Sequence, residues 1–82
     1  MKIDANVELT DTKANEYGQT YVKVPVDIDY VEADVDAINE WVANELEEMF
    51  GGSFCPGVDF DITNINDILE DMAFDEFENK IN

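Results

Sequence analysis

Polar and apolar residues alternate at the start of the chain, with Ile3, Ala5, Val7 and Leu9 on one side and Asp4, Asn6 and Glu8 on the other. A period of two is that of a half-buried strand, so residues 2–9 are predicted to be β. The alternation lapses over Thr10–Thr20, where Asp11, Asn15 and Gly18 read as turn material. It returns over residues 20–28, with Val22, Val24, Val26 and Ile28 inward. The two strands are expected to form a hairpin. Pro25 has no N–H to give a neighbouring strand, which places the second strand at an edge or a bulge.

From about Asp34 to Phe50 the period becomes that of a helix. Val35, Ile38, Val42, Leu46 and Met49 gather within roughly 80° of a helical wheel, and Asp36, Glu40 and Glu47 fall opposite them. Asp34 is the expected N-cap and Gly51-Gly52 the stop. Gly52 to Gly57 reads as a loop. Residues 58–62 alternate again, with Val58, Phe60 and Ile62 inward and Asp59 and Asp61 outward. Thr63 or Asn64 then caps a second helix, whose apolar face is Ile65, Ile68, Leu69 and Met72. Beyond Ala73 that register fails. Phe74, Phe77 and Ile81 point the other way, so either the helix breaks or two phenylalanines project from an acidic helix. The order predicted is β-β-α-β-α: one α+β domain over residues 1–82, with two helices on a small antiparallel or mixed three-stranded sheet.

The chain is 45% hydrophobic, enough for a core in 82 residues. It holds no run of about 18 apolar residues, so a membrane span is not expected. The opening MKIDANVEL lacks the apolar centre of a secretory signal. The lone Cys55 cannot make an internal disulfide or a zinc cage and reads as a small buried or loop residue. A cytoplasmic setting is expected.

Charge changes the picture most. There are 21 Asp and Glu against 4 Lys, a net charge of −17, with no arginine or histidine. Lys2, Lys13 and Lys23 precede residue 24 and Lys80 lies near the end, so residues 24–79 contain no base. A net charge of magnitude about 2–8 is enough for solubility. An excess beyond that destabilises the compact state by self-repulsion. The missing residue types exclude zinc catalysis, His-based triads and bidentate arginine clamps on phosphate. Four scattered lysines make no nucleic-acid-binding patch. No glycine motif for a nucleotide is present. The single serine, Ser53, lies in a loop and not at a helix start, which excludes an acyl carrier. Paired carboxylates serve glycosidases, but no substrate cleft is evident, and no enzymatic activity and no cofactor are expected.

Two readings of the carboxylates remain. Asp59, Asp61, Thr63, Asp67 and Glu70 occupy relative positions 1, 3, 5, 9 and 12, the ligand ladder of a calcium loop. Asn64 stands where that loop needs glycine, and GGSFCPG in front of it cannot be the incoming helix. The alternative reading as a calcium module therefore lacks its scaffold.

The other reading is imitation of a polyanion. A helix advances about 1.5 Å per residue, so Asp36, Glu40 and Glu47 are spaced by about 6 and 10 Å. Duplex DNA carries one charge per about 1.7 Å of axis, so this stripe is comparable with neighbouring phosphates. Glu48 on the same helix, outward Asp59 and Asp61, and then Asp67, Glu70, Asp71, Asp75, Glu76 and Glu78 are expected to extend the array on the same side. Trp41, at the margin of the apolar stripe, and Phe74 and Phe77 are either packed or exposed as anchors for a partner. The Phe74/Phe77 face would also serve self-association into a homodimer. Halophilic adaptation would load any protein with acid, but it usually leaves arginine in place.

In size, acidity and scarcity of base over residues 24–79, the chain resembles the small phage-encoded DNA-mimic inhibitors of anti-restriction and anti-CRISPR type. These families share no motif, so no functional residue carries over from them. The resemblance implies occlusion of the DNA site of a host defence nuclease or surveillance complex. The implied partner is a basic nucleic-acid-binding protein of the host, with no direct binding to nucleic acid or membrane. The alternative is a plain acidic interaction or assembly protein.

Overall fold

The alternation over residues 2–9 folds as a strand, β1 (Lys2–Leu9), with β2 (Tyr21–Asp27) antiparallel on one side and β3 (Phe60–Ile62) antiparallel on the other. Among the described residues there are also three helices: α1 (Asp11–Tyr17), α2 (Val35–Phe50) and α3 (Ile65–Ile81). This computed structural model describes the backbone of residues 2–81 and the side chains of residues 2–74. The class is α+β, as expected, and the order is β-α-β-α-β-α.

Strand periodicity sorts the two faces of the sheet. Ala5, Val7, Leu9, Val22, Val24, Val26, Phe60 and Ile62 are buried. They pack with Ile38, Val42, Ala43 and Leu46 of α2 and with Ile68 and Met72 of α3. The outward residues Asp4, Asn6, Glu8, Tyr21, Lys23 and Asp61 are exposed. All the helical cover therefore lies on one face. Pro25 sits in the edge strand β2, and its carbonyl accepts the Trp41 indole N–H at 3.0 Å. This bond fastens α2 over the edge of the sheet and occupies one of the groups that make an open edge prone to pairing.

α2 starts and stops where its sequence directs. The Asp34 carboxylate accepts the Ala37 N–H at 3.3 Å. Gly51, left-handed at φ 78°, gives its N–H to the Glu47 carbonyl. Val35 and Met49, expected inward, are exposed. They stand at the two ends of the helix, where the apolar stripe runs past the core, and Ala43 is buried between them.

The largest correction falls on residues 10–20, read as turn. A seven-residue helix occupies Asp11–Tyr17, closed by Gly18 in the left-handed conformation. So short a helix makes only about two turns, too few to show a period, and none of its residues is buried. Its reason is tertiary. Tyr17 stacks on Phe50 and Phe54 with ring centroids 4.7 and 5.8 Å apart, and Phe54 meets Phe60 at 6.4 Å. Lys13 lies over the Phe54 ring at 4.9 Å. Phe54, assigned to a loop, is thus a core residue. A Cβ on Gly52 would land on the Tyr17 hydroxyl, so the glycine makes room for this cluster.

Val58 was expected inward and is exposed. The chain turns before β3: Val58 and Asp59 donate to the Cys55 carbonyl, and the Asp59 carboxylate accepts the Cys55 N–H at 2.7 Å. Cys55 itself is exposed.

At the other end of β3 the expected helix cap takes a different form. The Asn64 carbonyl accepts the Ile68 N–H and so opens α3. Its side chain turns away from the helix, onto the flank of β1 that the short β3 leaves bare. Asn64 Oδ1 accepts the Asn6 N–H at 2.8 Å, and Nδ2 donates to the Asp4 carbonyl at 3.0 Å. A side-chain amide carries one acceptor and a donor in the arrangement of a peptide group, and here it acts as one more strand residue. The helical backbone of α3 runs on through Phe74 to Ile81 without the break considered above.

Candidate functional site

The α2 stripe is positioned by what lies beneath it. Ile38, Val42, Ala43 and Leu46 are buried against the sheet. Each large one of these contributes roughly 1.5–3 kcal/mol of burial, so the helix is firmly seated. The helical period then places Asp36, Glu40, Glu47 and Glu48 in solvent. Asp36, Glu40 and Glu47 line a shared open groove of about 480 Å³. Pro56, Gly57 and Asp61, from the chain that returns after the helix, line it too. Asp61 of β3, expected in the array, thus joins the three helix carboxylates in this groove.

Glu40 and Asn44 also border a second, smaller cleft of about 280 Å³ on the other flank of α2. Tyr30, Val31 and Trp41 supply its apolar side and Glu32 a further carboxylate. Trp41 is partly buried against the core and hydrogen-bonded to Pro25, so it packs as one of its two expected roles required, and it also lines this cleft.

Several carboxylates sit where the local field is against them. The last turn of α2 carries no base, and Glu47 and Glu48 lie at its negative dipole end. A charge misplaced there costs about 0.3–1 kcal/mol. Glu8 and Asp61 are direct cross-strand partners on the open face of the sheet. Like charges so placed are destabilising by about 0.2–1 kcal/mol.

Asp67, Glu70 and Asp71 are exposed on α3 but are not among the residues lining either cleft. Phe74 is 63% exposed. It follows Asp67, Glu70 and Asp71 by seven, four and three residues, which sets the ring in the middle of their face. The side chains of Asp75 and Phe77 lie outside the described residues.

The calcium ladder is spread over three kinds of backbone. Asp59 closes the turn at Cys55, Asp61 faces outward on β3, and the Thr63 hydroxyl donates to the Asn6 carbonyl at 3.2 Å. Asp67 and Glu70 follow on α3. Among the described residues, no group of three or more His, Cys, Asp or Glu is placed to hold a metal ion. No helix among them is long and apolar enough to cross a membrane.

The chain matches no protein-family model, no curated protein and no solved structure. Its surface therefore speaks through geometry and charge alone. Sequence reasoning found the α2 stripe and expected Asp61 in its array, but missed Tyr30 and Glu32 as neighbours. Tyr30 and Glu32 lie in an aperiodic segment, whose pattern gives no sign of the face they share with α2.

Proposed function

We propose that this protein is a non-enzymatic inhibitor that presents the charge of a nucleic acid and occludes the DNA-binding site of a host defence nuclease or surveillance complex. It would act in the cytoplasm of that host, as anti-restriction and anti-CRISPR proteins of phage do. The observation that carries the reading is the exposed α2 stripe, fixed to the sheet from below and free of any base between residues 24 and 79. Two further facts support it. Acids are kept at the wrong end of the α2 dipole and face to face across β1 and β3, where a solubility role would let a neutral residue serve at less cost.

In this reading a basic cleft exchanges its DNA phosphates for carboxylates and loses access to DNA. Binding is competitive with DNA and weakens steeply with salt, because both processes draw on the same charges. The test is an affinity capture from host lysate eluted by a salt gradient, followed by a DNA-competition assay on the captured complex. A partner that binds DNA undisturbed while holding the inhibitor overturns the reading. So does a Glu40→Lys/Glu47→Lys variant that still binds in full.

Exposed Phe74 favours a second reading, an acidic interaction protein that docks or pairs with its own copy through an aromatic on α3. Binding or dimerisation that ignores salt and disappears in Phe74→Ala would select it.

A further inference from the structure

The smaller cleft beside α2 asks for a more specific occupant than positive charge. Its apolar side comes from Tyr30, Val31 and Trp41, and its carboxylates are Glu32 and Glu40. At about 280 Å³ it is smaller than the usual range for a small-molecule site, about 300–1,000 Å³, and suits a single side chain. The Trp41 N–H is already given to the Pro25 carbonyl, which holds the indole in one orientation without its being spent on the ligand. Tyr30 is 81% exposed, so its ring is available to a visitor.

We infer that this cleft receives an arginine side chain from the partner's DNA-contacting surface and selects it over lysine. The inference rests on the charge-mimic reading and adds the residue that the mimic recognises. A guanidinium is planar, stacks on aromatic rings and is more weakly hydrated than an ammonium. It also meets a carboxylate through two parallel hydrogen bonds. An aromatic wall next to two glutamates matches each of these properties. Lysine, a compact and strongly hydrated point charge, gains from the carboxylates but little from the rings. The α2 groove then supplies attraction for any basic surface, and the Tyr30/Trp41 cleft supplies the preference for arginine.

Trp41 is the chain's single tryptophan, so its fluorescence reads this cleft directly. The probes are hexa-arginine and hexa-lysine, each also carrying a dye so that anisotropy reports total binding. At about 0.05 M salt, both are expected to bind. Hexa-arginine is expected to move the Trp41 signal at about five-fold lower concentration than hexa-lysine. Tyr30→Ala should narrow the gap between the two midpoints with the hexa-lysine midpoint unchanged, and Tyr30→Phe should restore it. Tyr30 is too exposed for either change to threaten the fold. Equal midpoints in the unaltered protein, or a gap undiminished in Tyr30→Ala, overturns the inference and leaves the charge-mimic reading standing. Absence of any binding by anisotropy overturns that reading and the inference with it.

Discussion

Asn64 offers a sharp test of how the sheet is joined to α3, because two accounts of it predict opposite signs. Its place just before Ile65, at the start of α3, is that of a helix N-cap. In that role Asn and Asp are equivalent, and Asp gains a little from the helix dipole. The geometry assigns it another task, bridging the Asn6 N–H and the Asp4 carbonyl of β1. Asn64→Asp keeps the acceptor but sets a carboxylate oxygen against the Asp4 carbonyl, where an N–H stood. Asn64→Ala removes both bonds. At about 1 kcal/mol net for each hydrogen bond, and with partial access of water, the alanine variant should lose about 1–2 kcal/mol. For a domain of this size that is a fall in Tm of about 5–10 °C. The aspartate variant should lose at least as much. Both are measured by urea and thermal denaturation at neutral pH in about 0.5 M salt, which screens the general repulsion of a chain at −17. Asn66→Asp is the matched control: it adds the same charge two residues on, at an exposed site, and should stay within about 0.5 kcal/mol. Hydrogen exchange at the Asn6 amide should speed up in both Asn64 variants. An Asn64→Asp protein as stable as the parent, or more so, would refute the strand-surrogate account and restore ordinary capping.

Other consequences are as direct. Glu47→Lys should raise stability by about 0.3–1 kcal/mol, since it puts a cation at the C-terminal end of α2, yet weaken partner binding; denaturation and competition assays on one variant check both signs. Asp61→Lys, opposite Glu8, should likewise stabilise the fold by about 0.2–1 kcal/mol while impairing inhibition. Gly52→Ala should cost about 1–3 kcal/mol, because its methyl collides with the Tyr17 hydroxyl. Tyr17→Phe in the same chain should recover most of that loss, a double-mutant comparison read by urea midpoints. Adding salt from about 0.05 to 0.5 M should raise Tm, because screening relieves self-repulsion over α2 and α3; a flat or falling profile would mean that the acids are not in mutual conflict.

The local alphabet of this chain determined a good deal. Strict alternation at residues 2–9 and 20–28 fixed two strands and their buried faces, since a period of two leaves one inward set. The Asp34 cap, the apolar spacing after it and Gly51 fixed α2, and the same spacing put Asp36, Glu40 and Glu47 in water. Pro25 named the edge strand. Each of these follows from interactions within a few residues, which a sequence shows directly.

Tertiary structure decided the rest. α1 owes its place to Tyr17 meeting Phe50 and Phe54, partners more than 30 residues away. β3 starts at Phe60 and not Val58, because a turn at Cys55 closes on the Asp59 carboxylate. Asn64 looked like a cap until its amide met a strand 58 residues earlier. Both clefts are likewise made by distant segments: Asp61 reaches the α2 groove only through the loop's return, and Tyr30 comes beside Trp41 only because the chain folds α2 back over β2. Local periodicity says which side of an element faces out. Which outward residues then become neighbours is set by long-range packing, and that is where a run of acids becomes a surface with an aromatic corner.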